Sequence, residues 1–234
     1  MSTIGLVDGA YHAGQSNTFP GIPAGVVEDS RVVVIAANVS GSSLTTPTGF
    51  TSELYETSTV TLLVATKTAT GPESGTYTVP GTFLNNLASI AFRPTGEHPG
   101  GWLVDLVGGT LIGGTTATES LSMADPGVGA LLVWAVASSP SRSVTVPSGY
   151  TRVTPDTATQ RIHLAYRVHP GGAISGISGT FSATAGSRSV LMAIAATGLR
   201  DHAGNLMAAT EWDGATEQPL AVFEYDGTSE QRIA

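Results

Sequence analysis

A duplicated block constrains the fold of this chain more than any other feature of its sequence. The segment "TTPTGFT" at 45–51 returns as "TVPSGYT" at 145–151, with Pro, Gly and an aromatic residue in the same places. Three further pairs of blocks match in the same order: "VVVIAANVS" from Val32 with "ALLVWAVAS" from Ala130, "TLLVATKTATG" from Thr61 with "RIHLAYRVHPG" from Arg161, and "AFRPTG" from Ala91 with "AIAATG" from Ala193. Preserved order indicates two copies of one structural unit.

The matched blocks have the residue pattern of β-strands. In the second copy Ile162, Leu164, Tyr166 and Val168 share one parity, and Arg161, His163, Ala165 and Arg167 share the other. This alternation is the period of a half-buried strand. The runs "VVVIAA" and "ALLVWAVA" are apolar on both parities, which is typical of a central strand covered on both faces.

The repeat and the strand pattern predict an all-β fold. We expect two tandem β-sandwich domains, Ig-like or jelly-roll-like, with roughly seven strands each and separate cores. Domain 1 would span 1–98 and domain 2 would span 99–200, with the boundary near Pro99. The remaining segment, 201–234, contains "EWDGATEQ" at 211–218 and "EYDGTSEQ" at 224–231. Asp-Gly pairs of this kind predict short β-hairpins, which must dock on domain 2 or on another chain.

The recurring "PTGF" and "PSGY" segments are interpreted as structural corners. We expect the Pro to set φ at the first corner of a tight turn and the Gly to accept a positive φ. The aromatic residue would then fold back over the end of the sandwich. A loop displayed for binding is the alternative.

Composition excludes several classes of function. Charged residues make up 12% of the chain and the formal net charge is -8, which argues against a nucleic-acid partner. The chain has no cysteine and therefore no disulfide or thiolate nucleophile. Its first residues lack the pattern of a classical signal peptide, and its apolar runs are too short to cross a bilayer. We therefore expect no export through a classical signal peptide and no membrane insertion.

No residue pattern supports a catalytic, cofactor or metal site. Asp8, His12 and Ser16 have the residue types of a hydrolytic triad, but their spacing would align them only on a helix, and the segment contains glycines unfavourable to a helix. The five histidines lack the spacing of zinc ligands. The acidic turns 213–217 and 226–230 lack the full calcium-loop pattern, so hairpin turns are favoured over Ca²⁺ sites.

Six residues are candidates for assembly or surface contact. The first three are Arg161, His163 and Arg167, a basic stripe on the outward parity that could meet an acidic neighbour; a solvated face is the favoured alternative. The other three are the aromatic residues Trp102, Trp212 and Tyr225, which could contact a glycan. Packing across a hairpin explains Trp212 and Tyr225 more simply.

The succession "VVVIAANVS", "PTGFT" or "PSGYT", then "LLVATKTATG" or "HLAYRVHPGG", resembles the β-sandwich modules of tailed-phage virion proteins. Such modules occur among minor tail proteins and appended fibre or decoration domains of phages of high-GC actinobacteria. The closing "EWDG" and "EYDG" units are similar to the Asp-Gly repeats that often end such proteins. The resemblance covers most of the chain.

The resemblance implies a non-enzymatic structural protein of the phage particle, with a minor tail or tail-tip component preferred. Its partners would be other virion proteins and further copies of itself, with a trimer as one expected form. A capsid decoration or head-fibre protein is the first alternative. A carbohydrate-binding module that recognises a host-surface glycan is an alternative of another class, and a hydrolase is the third.

Overall fold

The computed structural model describes residues 4–6, 25–38, 43–56, 60–75, 77–79, 86–94, 102–154, 156, 161–196, 223–225 and 230–232. These residues contain fifteen strands and no helix, which confirms the all-β fold class. The strands are β1 (Ile4–Leu6), β2 (Arg31–Asn38), β3 (Thr51–Glu56), β4 (Thr61–Thr68), β5 (Asn86–Pro94), β6 (Trp102–Ala117), β7 (Leu121–Met123), β8 (Leu131–Ser139), β9 (Val144–Thr145), β10 (Thr151–Arg152), β11 (Ile162–Val168), β12 (Ile174–Ile177), β13 (Thr180–Ala196), β14 (Phe223–Tyr225) and β15 (Glu230–Arg232).

Each repeat builds one main antiparallel sheet, and the two sheets have the same strand order. The first sheet runs β1-β5-β2-β4-β3, and the second runs β6-β13-β8-β11-β10, with β9 paired to β13 off this path. Matching the strands by the sequence repeat makes β1 equivalent to the start of β6, β5 to β13, β2 to β8, β4 to β11 and β3 to β10. The duplication of sequence is therefore also a duplication of topology.

The strand register corrects the sequence alignment of the central strands. Arg31 lies opposite Thr68 in the first sheet, and Leu131 lies opposite Val168 in the second. The two pairs are related by an offset of 100, whereas the sequence comparison aligned Val32 with Ala130. An alignment error of two residues leaves every side chain assigned to the same face of the sheet, because side chains alternate between faces with a period of two. The predicted inward and outward faces were therefore right although the alignment was not.

The inward faces of the two sheets pack against each other in one core, which we call the shared core. The expectation that each repeat would close a separate core is therefore wrong. Arg188 also links the sheets, because its Nε donates a hydrogen bond to the carbonyl oxygen of Val60 at 2.9 Å. The buried residues of the shared core are Val33, Ile35, Ala37, Val60, Leu62, Val64 and Ile90 from the first repeat and Leu131, Val133, Ala135, Ala137, Ile162, Leu164, Val190, Met192 and Ile194 from the second.

The opposite face of each sheet is covered within its own repeat. In the first repeat, the strand residues Val32, Val34 and Leu63 pack with the loop residues Leu44 and Val79. In the second repeat the covering elements include the small β7–β12 sheet and β9, which pack on strand residues such as Trp134. Both faces of the central strands are thus buried, as their double-sided apolar pattern predicts.

Near the C-terminus two short strands pair where the sequence predicts a hairpin. Strands β14 and β15 are antiparallel, with Tyr225 opposite Glu230, and residues 226–229 between them lie outside the described residues. The first Asp-Gly unit, at 211–218, lies outside the described residues. So does the predicted domain boundary near Pro99.

A shared core predicts that the two repeats unfold together. Leu62 and Ile162 are equivalent under the offset of 100, and both are fully buried in the shared core. We expect Leu62→Ala and Ile162→Ala each to lower the free energy of unfolding by about 2–5 kcal/mol, because each leaves a cavity. Chemical denaturation followed by fluorescence should show one transition that both substitutions move.

Val168 provides a matched control on the same strand as Ile162, because it is 47% exposed. Val168→Ala should change the free energy of unfolding by less than about 0.5 kcal/mol, as is usual for surface positions. Two separate transitions, each sensitive to only one of the core substitutions, would contradict the shared core.

Candidate functional site

The recurring corner motif forms the same turn in both repeats. The backbone N–H of Phe50 donates to the carbonyl oxygen of Pro47 at 3.1 Å, and Tyr150 donates to Pro147 at the same distance. Gly149, like its equivalent Gly49, has a positive φ, +79° and +81° respectively, as the sequence predicts. The hydrogen bonds place each proline at the first residue of the turn, one position before the corner at which we expected it.

The aromatic residue of each corner packs beneath a cation from the neighbouring strand. Phe50 lies edge-on to Tyr77 with ring centroids 4.9 Å apart, and the Lys67 ammonium lies 5.1 Å from the Phe50 centroid. At the equivalent place in the second repeat, the Arg167 guanidinium lies 5.0 Å from the Tyr150 centroid. Cation–π contacts of this kind stabilise packing. The corners and Arg167 therefore have structural contacts.

The turn geometry predicts a penalty for adding a side chain at the corner glycines. Gly49→Ala and Gly149→Ala should each destabilise the protein by about 1 kcal/mol, because a positive φ is sterically unfavourable for alanine. Gly71 is the matched control, since it has no positive φ and nothing within 4 Å of an added Cβ. Thermal unfolding should show lower midpoints for the two corner variants than for Gly71→Ala. Equal midpoints for all three variants would argue against the turn assignment.

The second residue of the predicted basic stripe, His163, is fully buried and not solvated. Its parity was predicted correctly, because it points away from the shared core, but the loop between β8 and β10 covers that face. Its Nε2–H donates to the carbonyl oxygen of Arg142 at 2.7 Å. Arg161 remains partly exposed at the edge of the same face, whereas Arg167 lies toward the other end of β11. The predicted stripe is therefore divided: His163 is buried under the loop, with Arg161 beside it, whereas Arg167 packs on Tyr150.

Neighbouring strands bring polar side chains together around His163. In one row Arg161, Ser138 and Ser187 lie directly opposite one another on adjacent strands, and in the next row on the same face His163 and Ser189 flank Val136. Side chains opposed in this way have Cβ atoms about 5 Å apart. Arg152 of β10 and the loop residues Arg142 and Asp156 complete a set that we call the basic cluster: Ser138, Arg142, Arg152, Asp156, Arg161, His163, Ser187 and Ser189.

Many polar atoms of the basic cluster are buried without a hydrogen-bond partner among the described residues. Such atoms are costly in a protein interior unless something satisfies them. The three serines and His163 are at most 2% exposed. The unpartnered atoms are Ser138 Oγ, Ser187 Oγ, Ser189 Oγ, His163 Nδ1, Arg142 Nε, Arg152 Nη1 and Arg161 Nη1.

The loop over the cluster is held by its own contacts. The Oδ1 of Asp156 accepts a hydrogen bond from the backbone N–H of Val144 at 3.2 Å. Arg152 donates to the carbonyl oxygen of Val144 and lies 3.6 Å from Asp156. Arg142 donates through Nη1 to the carbonyl oxygen of Ser141. The cluster thus contains three arginines and one carboxylate, so its residues carry an excess of positive charge although the whole chain carries -8.

Burial keeps His163 neutral. Desolvation lowers the pKa of His163 below its ordinary value of 6.5, and the charge of Arg152 lowers it further. The hydrogen bond to Arg142 and the charge of Asp156 raise the pKa and only partly offset these effects. Because Nε2 carries the proton donated to Arg142, the neutral ring has a free lone pair at Nδ1.

The first repeat shows that the fold does not require a basic cluster. Under the offset of 100, His163 corresponds to Leu63, Arg161 to Thr61 and Ser138 to Asn38, all three buried. Leu63 belongs to the apolar cluster on its face of the sheet. Arg152 corresponds to Ser52. A position-by-position comparison of the two copies would have singled out His163, Arg161 and Arg152 in the sequence, but not the serines that lie near them.

The remaining candidates lie on other strands or outside the described residues. Trp102 begins β6 opposite Ala196, and Tyr225 lies in the C-terminal hairpin. Trp212 lies outside the described residues, as do Asp8, His12 and Ser16. Within the described ranges, no group of three or more His, Asp or Glu side chains is placed to hold a metal ion.

Comparison with known proteins gave no match: no family model, curated protein or solved structure resembles the chain closely enough to be reported. In the part of the chain that the structure describes, no helix has the length and apolar character to span a membrane.

The neutral state of His163 predicts a dependence of stability on pH. Since its pKa is lower in the folded than in the unfolded chain, the stabilisation is complete above the unfolded value of about 6.5 and is lost as pH falls below it. His163→Gln retains a donor for Arg142 but does not titrate. We expect the thermal midpoint of the wild type to fall more between pH 7.5 and 5.5 than that of the variant. Equal falls would mean that His163 does not titrate as described.

Proposed function

We propose that the chain is a non-enzymatic structural protein of a tailed-phage virion, with a minor tail or tail-tip component preferred over a capsid decoration protein. The proposal rests on the resemblance of the chain's repeated blocks to phage β-sandwich modules and on the packing of both repeats in the shared core. It assigns the chain a role in assembly, and catalysis has no part in it.

The observation that carries the proposal is the shared core. Equivalent apolar residues from the two repeats, such as Leu62 and Ile162, face the same core and unite the copies in a single packed unit. The corner motifs that recur most visibly are used for turns and aromatic packing in both copies. Because both copies use their equivalent residues for packing and turns, the duplication supports a structural role for the chain.

Assembly contacts are assigned to the C-terminal hairpin. The low charge of the chain, 12% of its residues, and its small polar side chains suit long-lived contact with neighbouring subunits. The β14–β15 pair is short, and an isolated two-stranded hairpin is marginally stable in water. Docking against other copies, in a trimer for example, would stabilise it. Many copies in one particle would give weak contacts avidity.

Locating the chain in intact particles tests this function. Mass spectrometry of purified virions should detect it, and immunogold labelling should place it at the tail. Light scattering of the purified chain should give a multiple of the monomer mass. Labelling of the capsid would favour the decoration alternative. Absence from particles, together with glycan binding that Trp102→Ala abolishes, would reject the structural role in favour of a carbohydrate-binding module.

A further inference from the structure

The basic cluster has an unusual combination of charge and burial. Its residues include three arginines, three serines and one histidine, with Asp156 as the single carboxylate among them, and Arg161 lies in one row with Ser138 and Ser187 on adjacent strands. Asp156 already pairs with Arg152 and with the Val144 backbone. The positive charges of Arg142 and Arg161 are left without a carboxylate partner in the cluster. Each of the three arginines has a buried nitrogen without a hydrogen-bond partner among the described residues, and such an atom requires compensation by an anion or by polar ligands.

The available donors match the chemistry of a small oxyanion. The Nε of Arg142 and the Nη1 of Arg161 each have an N–H without an acceptor among the described residues. The Nη1 of Arg152 lies 3.6 Å from Asp156, beyond hydrogen-bonding distance. Guanidinium groups form strong, directional hydrogen bonds to phosphate and sulfate oxygens. The serine hydroxyls rotate to donate to further oxygens, since none has a partner within the described protein.

The cluster residues differ in exposure. Arg142, Arg152 and Arg161 are partly exposed, whereas the three serines are buried. The cluster therefore combines partly exposed arginines with buried hydroxyl groups on the adjacent strands β8 and β13. In the first repeat the equivalent face carries Leu63 and Thr61 at the places of His163 and Arg161. This architecture is specific to the second copy.

We propose that the basic cluster is a binding site for a phosphate or sulfate group, either as the free inorganic ion or as the terminal group of a larger molecule such as a sugar phosphate. Arg142, Arg152 and Arg161 neutralise the anion. Ser138, Ser187 and Ser189 donate hydrogen bonds from strands β8 and β13. This inference goes beyond the proposed structural role and does not depend on it.

Isothermal titration calorimetry of the full chain tests the site, with inorganic phosphate, sulfate and glucose 6-phosphate as probes and sodium chloride at matched ionic strength as the reference. Arg161→Gln should weaken binding by at least about tenfold, because it removes charge-assisted hydrogen bonds. Binding of inorganic ions alone would identify the free ion as the ligand. Binding of glucose 6-phosphate, with or without the inorganic ions, would identify a phosphate carried on a larger molecule.

Arg167→Gln is the matched control, because it removes the same charge at the opposite end of β11. The two positions are about 20 Å apart along a strand, farther than the screening length of about 8–10 Å in physiological salt. We expect Arg167→Gln to change the affinity by less than about twofold. Equal losses for the two variants would show a diffuse charge effect and would overturn the site.

A second variant separates binding from folding. Ser187→Ala combined with Ser189→Ala removes two hydroxyls that have no partner among the described residues, so the free chain should keep its thermal midpoint or gain slightly. Its affinity should fall by at least about fivefold, because the anion loses two donors. An affinity equal to the wild type would overturn the assigned serine donors. A wild-type chain that responds to none of the three probes would reject the site altogether.

Discussion

Packing between the inward faces of two equivalent sheets is the interaction on which the rest of this structure depends. The strands of each repeat place an apolar residue at every second position, and these rows meet in the shared core. Neither sheet could expose such a row to water without losing the main favourable contribution to its folding. Each repeat supplies the sheet that covers the inward face of the other. The pairing of like with like also explains why strand order is preserved between copies.

Because the inward faces are constrained by each other, the outward faces have been free to differ. In the first repeat the outward face is apolar, with Phe50 and Tyr77 packed beneath Lys67. In the second, one end of the face keeps the equivalent packing of Tyr150 beneath Arg167, and the other end carries the basic cluster. The inward faces thus have the same structural role in both copies, whereas the outward face of the second copy carries the basic cluster.

The sequence predicted strands and their faces well, because a period of two leaves little choice once apolar residues alternate. It also predicted the positive φ of Gly49 and Gly149, because the corner pattern suits few other conformations. It did not predict what covers each face. An apolar row such as Ile162 and Leu164 looks the same whether a second sheet of the same repeat or the other repeat packs on it. Hence the shared core was mistaken for two.

The polar cluster was missed for a related reason. His163 and Arg161 were recognised by parity, but the burial of His163 depends on the loop that carries Arg142, whose carbonyl oxygen accepts its hydrogen bond. Ser138 lies on β8, whereas Ser187 and Ser189 lie on β13, so the three serines have no common motif and are brought together only by the strand register. Residues of this kind become visible only after the sheet is assembled.

Methyl NOE spectroscopy tests the shared core most directly. With methyl groups of Ile, Leu and Val assigned, the account predicts cross-peaks between residues of the first repeat, including Ile35 and Leu62, and residues of the second, including Val133 and Leu164. Cross-peaks confined to pairs within each repeat would contradict it and would restore two independent cores.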